Sequence, residues 1–320
     1  MTRIFQVPDP ESPHPPLVRP RPLSLSRPEA SKLPPLRSLQ PHAAEPLRAS
    51  VPGLTPASLT PVMPVHPPAA PASTLDLQPE PETEGVHPRD LTLAQFFQQM
   101  THLPGLNAGL GMCSDRMPVM LDLTDPRPGP LAVLGNARSG KTSLVQVMLE
   151  SALALNPGQQ VRFVIIAEKP QEYERLSRSD TARAQSLGIF PPGSLEAQRI
   201  LERLAAQVEH GSAEPVLVCL DDLRMIRTAS AALQSAVETI LCAGPQVSIW
   251  PIAVLSAETA PGLGRWLRRF RTRLIGNMAN QAAGRLGIFT GLDAESLVPR
   301  RQFSVYLGGE WLPFWVPRLV

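Results

Sequence analysis

The sequence predicts an α/β domain with a mostly parallel central sheet flanked by helices, preceded by a disordered N-terminal region. After residue 91, continuous apolar runs alternate with helical segments, and such runs are typical of strands that are covered on both faces. The runs are LAVL from Leu131, VRFVII from Val161, VLVCL from Val216 and the segment 247–255. Pro251, inside the last run, favours an edge strand or a bulge there.

The segments between these runs predict helices with recognisable ends. One helix is expected over residues 142–155, where an Asn-Pro-Gly sequence stops it. A second is expected after Ser194, a residue type that caps helix N-termini, and it should end at Gly211. A third is expected over residues 228–243. Helices that alternate with buried strands are the pattern of a sheet covered by helices on both faces.

The N-terminal region differs sharply in composition. Of the 38 prolines, 22 precede residue 91, and the apolar residues between them show neither helical nor strand periodicity. Each proline removes a backbone donor, and no buried face offsets the entropy of ordering the chain. We therefore expect residues 1–90 to form a disordered, proline-rich arm and residues 91–320 to form one folded domain.

Overall charge and cysteine usage narrow the function classes only slightly. The formal net charge is +2, which by itself indicates no polyanionic partner, although the segment from Arg265 onward holds nine arginines and three acidic residues. The three cysteines match no metal-site spacing, which favours a reducing compartment. No uninterrupted apolar run approaches the roughly 18 residues of a membrane span. A cytoplasmic protein without membrane insertion is expected.

A phosphate-binding motif lies between the first long apolar run and the helix that follows it. The residues Gly135, Asn136, Ala137, Arg138, Ser139, Gly140, Lys141 and Thr142 match G-x-x-x-x-G-K-[ST] at every fixed position, and Ser143 adds the next backbone donor. The two glycines allow a tight turn whose N–H groups face phosphate oxygens. Lys141 would bridge the β- and γ-phosphates of ATP, and the Thr142 hydroxyl would bind Mg²⁺.

Two acidic residues follow the run that starts at Val216. Asp221 stands where a carboxylate would bind Mg²⁺ through water, and Asp222 stands where a carboxylate would activate the attacking water. The same positions suit the N-cap of a following helix, and that alternative stays open for both residues.

These pieces and their order resemble the FtsK/SpoIIIE/HerA group of motor ATPases from about Leu110 to the C-terminus. The resembling segments are PVMLDLTDPRPGPLAVLGNARSGKTSLV (118–145), VRFVIIAEK (161–169), VLVCLDDL (216–223), RTRLIGNMANQAAGRLG (271–287) and the closing hairpin SLVPRRQFSVYLGGEWLPFWVPRL (296–319). The resemblance implies a RecA-like domain that forms homo-oligomeric, hexameric rings, binds ATP between neighbouring subunits and moves duplex DNA. In such a ring Arg271 or Arg273 would approach the γ-phosphate of the adjacent subunit, although a surface ion pair explains either arginine equally well.

Three departures from the group's pattern bear on activity. Asp222 stands where the group usually has Glu, which withdraws the carboxylate by about 1.5 Å and predicts slow hydrolysis. Ser256-Ala257-Glu258 replaces the usual Thr-Gln, and Glu258 would repel phosphate unless a cation intervened. A proline-rich arm takes the place of the group's membrane anchor.

Two other functions therefore remain open. One is a degenerate ATP-binding module resembling those of type VII protein-secretion motors, with little or no hydrolysis and a protein substrate. The other is a scaffold whose proline-rich arm recruits protein partners through motifs such as LPPL at 33–36, while the nucleotide domain controls assembly. A plain flexible linker explains the arm as well.

Overall fold

One mixed sheet of eleven strands organises the part of the chain that the computed structural model describes, which is residues 3–4, 86–100, 105–157, 161–211, 214–288 and 291–319. The strands are β1 (Arg3–Ile4), β2 (Asn107–Met112), β3 (Pro118–Asp122), β4 (Leu131–Gly135), β5 (Arg162–Ala167), β6 (Ser186–Phe190), β7 (Val216–Asp221), β8 (Ile249–Ser256), β9 (Thr272–Gly276), β10 (Gln302–Leu307) and β11 (Glu310–Trp315). Their order across the sheet is β1-β3-β2-β11-β10-β9-β4-β8-β7-β5-β6.

Helices cover both faces of this sheet. They are α1 (Leu93–Gln99), α2 (Lys141–Leu155), α3 (Glu174–Arg178), α4 (Asp180–Gln185), α5 (Leu195–His210), α6 (Ala231–Ala243), α7 (Gly264–Leu267) and α8 (Asn280–Arg285). Apolar side chains of α1 and α2 belong to one buried cluster, and those of α5 and α6 belong to another. The predicted fold class, a mostly parallel sheet flanked by helices, is confirmed. None of the described helices is long and apolar enough to cross a bilayer.

The strands β9, β4, β8, β7, β5 and β6 form a continuous parallel block. In this block Gly135 pairs with Ser256, and Asp221 pairs with both Ala167 and Val254. The carboxyl ends of four neighbouring strands therefore meet at one edge of the sheet, which is where ligands bind in open parallel sheets.

Pro251 does not mark an edge strand, and that expectation was wrong. β8 lies inside the block, between β4 and β7. The pairing of β8 with β4 begins only at Ile252, one residue after Pro251, whereas the pairing with β7 already includes Pro251 opposite Val218. Pro251 thus lies before the point where β8 begins to pair with β4. At Pro251 the strand is paired with β7 alone, as an edge strand would be, although β8 as a whole is central in the sheet.

The helix that follows the phosphate-binding motif is fixed at its far end to β2. The side chain of Asn156 accepts a hydrogen bond from the Asn107 backbone N–H at 3.0 Å and donates to the Asn107 carbonyl at 2.8 Å. The Ser151 hydroxyl accepts from the Gly109 N–H at 2.7 Å. These contacts hold α2 in a single position against the sheet, which also fixes the position of its N-terminus.

Most of the predicted arm, residues 5–85 with the LPPL motif, lies outside the described residues, so its disorder stays a prediction. Two short pieces of residues 1–90 are ordered: β1 pairs with β3, and Pro88–Asp90 forms a 3-10 helix. Asp90 accepts a hydrogen bond from Arg318, and the ring of His87 packs edge-on against Trp315. Ordered structure therefore begins before residue 91.

Candidate nucleotide site

The loop between β4 and α2 has the form that the sequence motif predicts. β4 ends at Gly135, and α2 begins at Lys141 after Gly140, which has a left-handed φ of 96°. The ammonium group of Lys141 donates to the carbonyl oxygens of Gly135 at 3.1 Å and Asn136 at 2.6 Å. Burial lowers the pKa of Lys141, while Asp221, Asp222 and Glu258 oppose that shift. A cation therefore lies at the mouth of the loop, and among the described residues its hydrogen-bond partners are the two carbonyl oxygens.

The two motif glycines are required by close contacts. A Cβ on Gly135 would lie 2.3 Å from the Ser139 hydroxyl oxygen, and one on Gly140 would lie 2.7 Å from the Cα of Arg300. Arg300 also donates its backbone N–H to the Ser139 carbonyl at 2.9 Å. The segment before β10 thus packs directly on the loop, a contact that sequence reasoning missed because about 160 residues separate the two.

We expect Gly140→Ala to destabilise the protein by about 1–3 kcal/mol from the left-handed backbone alone, with a further cost from the Arg300 contact. Urea unfolding monitored by circular dichroism measures this. Gly284→Ala in α8 is the matched control, because a Cβ there meets nothing within 4 Å. The control should be neutral or slightly stabilising, since alanine favours helix. Equal unfolding midpoints for the two variants would contradict the expectation.

The first turn of α2 supplies the remaining groups of an anion site. The N–H groups of Lys141, Thr142 and Ser143 belong to the first turn, where no intrahelical acceptor exists, and the helix dipole adds positive potential there. The close packing of Gly135 against the Ser139 side chain leaves no room for a larger residue at the start of the loop. Exposed N–H groups, a cation and a Thr hydroxyl are the donor set that a magnesium-bound triphosphate requires, so the residues present fit that ligand.

Asp221 and its neighbours form an acidic side of the same site. Asp221, the last residue of β7, accepts a hydrogen bond from the Tyr173 hydroxyl at 2.7 Å. Burial raises the pKa of Asp221, and the Tyr173 hydrogen bond opposes that shift. The Thr142 hydroxyl donates to Glu172 at 3.3 Å. Carboxylate and hydroxyl oxygens are suitable ligands for Mg²⁺, directly or through water, and Glu172 is a member of this set that the sequence analysis did not name.

Asp222 is the N-cap of a 3-10 helix over Leu223–Arg227. One of its oxygens accepts from the Arg224 backbone N–H at 2.9 Å, and the other pairs with Nε of Arg224 at 2.9 Å. Burial raises the pKa of Asp222, and the Arg224 contacts oppose that shift. Asp222 thus occupies an N-cap position, which is the alternative that the sequence left open. The role of Asp222 towards an attacking water stays a prediction.

These groups surround one open cleft of about 620 Å³, which we call the P-loop cleft. Its lining comes from the loop with Arg138, from residues at or just beyond the carboxyl ends of the parallel strands, and from Arg224 and Arg300. The lining residues are Ala137, Arg138, Gly140, Lys141, Thr142, Ser143, Glu168, Lys169, Glu172, Asp221, Asp222, Arg224, Val254, Ser256 and Arg300. Among the sequence-predicted loop residues, Gly135, Asn136 and Ser139 do not line the cleft.

Arg271 and Arg273 lie away from the P-loop cleft of their own chain. In the parallel register of β9 with β4, Arg273 is opposite Ala132, towards the start of β4, whereas the P-loop follows its end. The guanidinium of Arg273 donates to the carbonyls of Leu286 at 3.0 Å and Leu267 at 3.3 Å. Burial lowers the pKa of Arg273. An action of either arginine on a neighbouring subunit stays a prediction.

Comparison with known proteins finds a family similar to part of this chain. Residues 101–211, which contain the P-loop, match the FtsK/SpoIIIE family, so the resemblance drawn from the sequence is confirmed. Comparison with curated protein sequences finds no significant match.

Solved structures agree at the level of the fold. EccC (ATPases 2 and 3) of Thermomonospora curvata, solved with a signal sequence peptide, matches with a TM-score of 0.55 and 16% identity over 73% of this chain and 44% of its own. EssC (ATPases 2 and 3) of Geobacillus thermodenitrificans gives 0.55 and 15% over 72% and 44%. The pCW3 conjugation coupling protein TcpA with ATPgS gives 0.55 and 13% over 72% and 70%. The chain spans less than half of the EccC and EssC chains.

Proposed function

We propose that this FtsK/SpoIIIE-type P-loop domain binds ATP with Mg²⁺, hydrolyses it slowly, and couples hydrolysis to the movement of duplex DNA. The observation that carries the proposal is the convergence of the loop lysine and of Asp221 and Asp222 on one cleft at the carboxyl edge of a parallel sheet. Sequence motif, helix N-terminus and acidic residues are then parts of one site.

Each residue of the P-loop cleft has a role in this proposal. The backbone N–H groups of the loop and of the first turn of α2 bind phosphate oxygens. Lys141, which donates to two carbonyl oxygens, would bind the β- and γ-phosphates instead, and Thr142 with Asp221 would hold Mg²⁺, whose charge would offset that of the phosphates. Asp222 orients and polarises the attacking water.

A ring of subunits completes the site. Because Arg271 and Arg273 lie at the opposite end of their own sheet from the P-loop, neither can serve its own nucleotide without leaving its place. An arginine that stabilises the transition-state charge would therefore come from an adjacent copy, in which case the domain acts as a homo-oligomer, and the resemblance to the group implies six subunits. Assemblies that mix unaltered subunits with subunits lacking Arg271 or Arg273 would test this.

The DNA part of the proposal is supported by a basic surface next to α7. Arg268, Arg269 and Arg271 line a second cleft of about 250 Å³, which we call the arginine cleft. Arg269 pairs with Glu238, and Arg271 packs its aliphatic stem on Gly129. A surface with several arginines and few acids attracts the phosphate backbone of nucleic acid without reading its sequence.

We expect reversal of charge at Arg268 and Arg271 together (Arg268→Glu, Arg271→Glu) to weaken DNA binding and to lower the slope of log affinity against log salt by about two, roughly one for each lost phosphate contact. Fluorescence anisotropy with a labelled duplex over a salt series measures both quantities. Reversal of Arg199 and Arg203, exposed on α5, is the matched control and should change the slope less. An unchanged slope in the first variant would remove the arginine cleft from the DNA contact.

A second candidate function is supported by a specific observation. Both oxygens of Asp222 are occupied by Arg224, which suits a domain that holds ATP as a structural ligand and acts on a protein substrate. The likeness to EccC, solved with a signal sequence peptide, is in keeping with that reading. Steady-state ATPase activity with and without duplex DNA separates the two. Stimulation by DNA supports the motor, and tight ATP binding without turnover supports the nucleotide-holding module.

A further inference from the structure

Arg224 joins two carboxylates that stand at the ends of neighbouring strands. Its Nε lies 2.9 Å from Asp222, directly after β7, and its Nη2 lies 3.2 Å from both oxygens of Glu168, directly after β5. All three residues line the P-loop cleft. We call this arrangement the Arg224 clamp. Neither Arg224 nor Glu168 has been given a role in the motifs described above.

The Arg224 clamp consists of ion pairs, and it lines a cleft whose proposed ligand, a nucleotide triphosphate, is negatively charged. The side chain of Arg224 is 42% exposed, whereas that of Asp222 is 13% exposed. An arginine that is partly solvated can change partners with little loss of packing, and its fork of donors matches phosphate oxygens as well as carboxylate oxygens. A γ-phosphate in the P-loop cleft would therefore compete with Glu168 and Asp222 for Arg224.

The fold does not depend on the guanidinium. The cap on the 3-10 helix uses the backbone N–H of Arg224, not its side chain. The helix is also held by Leu223 and Ile226, which are both buried. The side chain can therefore leave the two carboxylates while Asp222 keeps its backbone hydrogen bond.

We propose that Arg224 is a positioning residue that distinguishes ATP from ADP: without a γ-phosphate it binds Asp222 and Glu168, and with one it turns to the phosphate and releases Asp222. The proposal rests on the ATP function proposed above. Release matters because a carboxylate paired with a guanidinium is a weaker acceptor for the proton of an attacking water. Arg224 would thus couple the presence of ATP to the availability of Asp222.

The test compares the affinities of ATPγS and ADP, measured by calorimetry with Mg²⁺ on the full chain. We expect Arg224→Ala to weaken ATPγS binding by about tenfold, on the scale of one charge-assisted contact, with ADP binding unchanged. Glu168→Gln removes one of the competing carboxylates, so it should strengthen ATPγS binding, again without an effect on ADP. Arg183→Ala, which removes a similar exposed ion pair with Asp180 on α4, is the control and should alter neither affinity.

Opposite shifts in the ratio of the two affinities for Arg224→Ala and Glu168→Gln are the expected result. A purely structural role would change the affinities for ATPγS and ADP by the same factor. A ratio of the two affinities that is unchanged in both variants, or that shifts in the same direction in both, therefore overturns the proposal. If Arg224→Ala does not fold, the sign of the Glu168→Gln shift decides alone. If the unaltered protein binds neither nucleotide, the proposed function itself fails, which is a distinguishable outcome.

Discussion

Replacement of Lys141 by alanine is expected to abolish ATP binding. The lysine ammonium is partly buried in the loop, and within the part of the chain that the structure describes it donates to the carbonyls of Gly135 and Asn136, so its charge is not neutralised by a direct ion pair there. Loss of a charge-assisted contact to two phosphates in a partly buried site should weaken binding by about 100-fold or more. Calorimetry measures the affinity, and the rise in melting temperature caused by ATP should disappear with it.

Lys169→Ala is the matched control for this experiment. Lys169 also lines the P-loop cleft, but its side chain is 67% exposed and pairs with Glu172 at 3.5 Å. An exposed pair of this kind is worth little, so ATP affinity should change by only a few-fold. Without nucleotide, both variants should have the same melting temperature as the unaltered protein. Affinity in Lys141→Ala equal to that in Lys169→Ala would show that the cleft does not bind triphosphate through its loop.

The parts of the site that follow one another in the chain could be predicted from the sequence. The glycine spacing fixes a loop between a strand and a helix, and the structure places α2 at Lys141–Leu155, close to the expected 142–155. Ser194 and Gly211 bound α5 as expected, with Gly211 at a φ of 73°. Local hydrogen bonding and backbone preference decide such features, so a short stretch of sequence carries them.

The parts that come from distant segments could not be predicted. Glu172 meets Thr142, and Arg300 packs on Gly140, only because the sheet brings their segments to one edge. Arg224 stands two residues after Asp222, yet its second partner, Glu168, follows a different strand. The prediction of an edge strand from Pro251 was wrong for the same reason, since the neighbours of a strand depend on topology rather than on its own residues.

The proposed role of Asp222 leads to the second large expected effect. An attacking water must be held in line with the γ-phosphate, and a misplacement of about 1 Å can cost on the order of 10²-fold in rate. Asp222→Asn keeps the N-cap, because asparagine also caps helices, but removes the negative charge. We therefore expect this variant to fold and, because it also removes a competitor for Arg224, to bind ATP at least as tightly as the unaltered protein, while its single-turnover hydrolysis falls by about 10²-fold.

Asp222→Glu supplies the opposing change, since it advances the carboxylate by about 1.5 Å towards the place that the group's usual glutamate occupies. Part of the capping contact with Arg224 would be lost, at a cost of about 1 kcal/mol in stability, so turnover must be compared at saturating ATP and Mg²⁺ in folded protein. Turnover should rise above that of the unaltered protein, with ATP affinity little changed. If both substitutions leave single-turnover hydrolysis at the original rate, Asp222 serves only as the cap that its contacts describe, and the nucleotide-holding module becomes the better account of the domain.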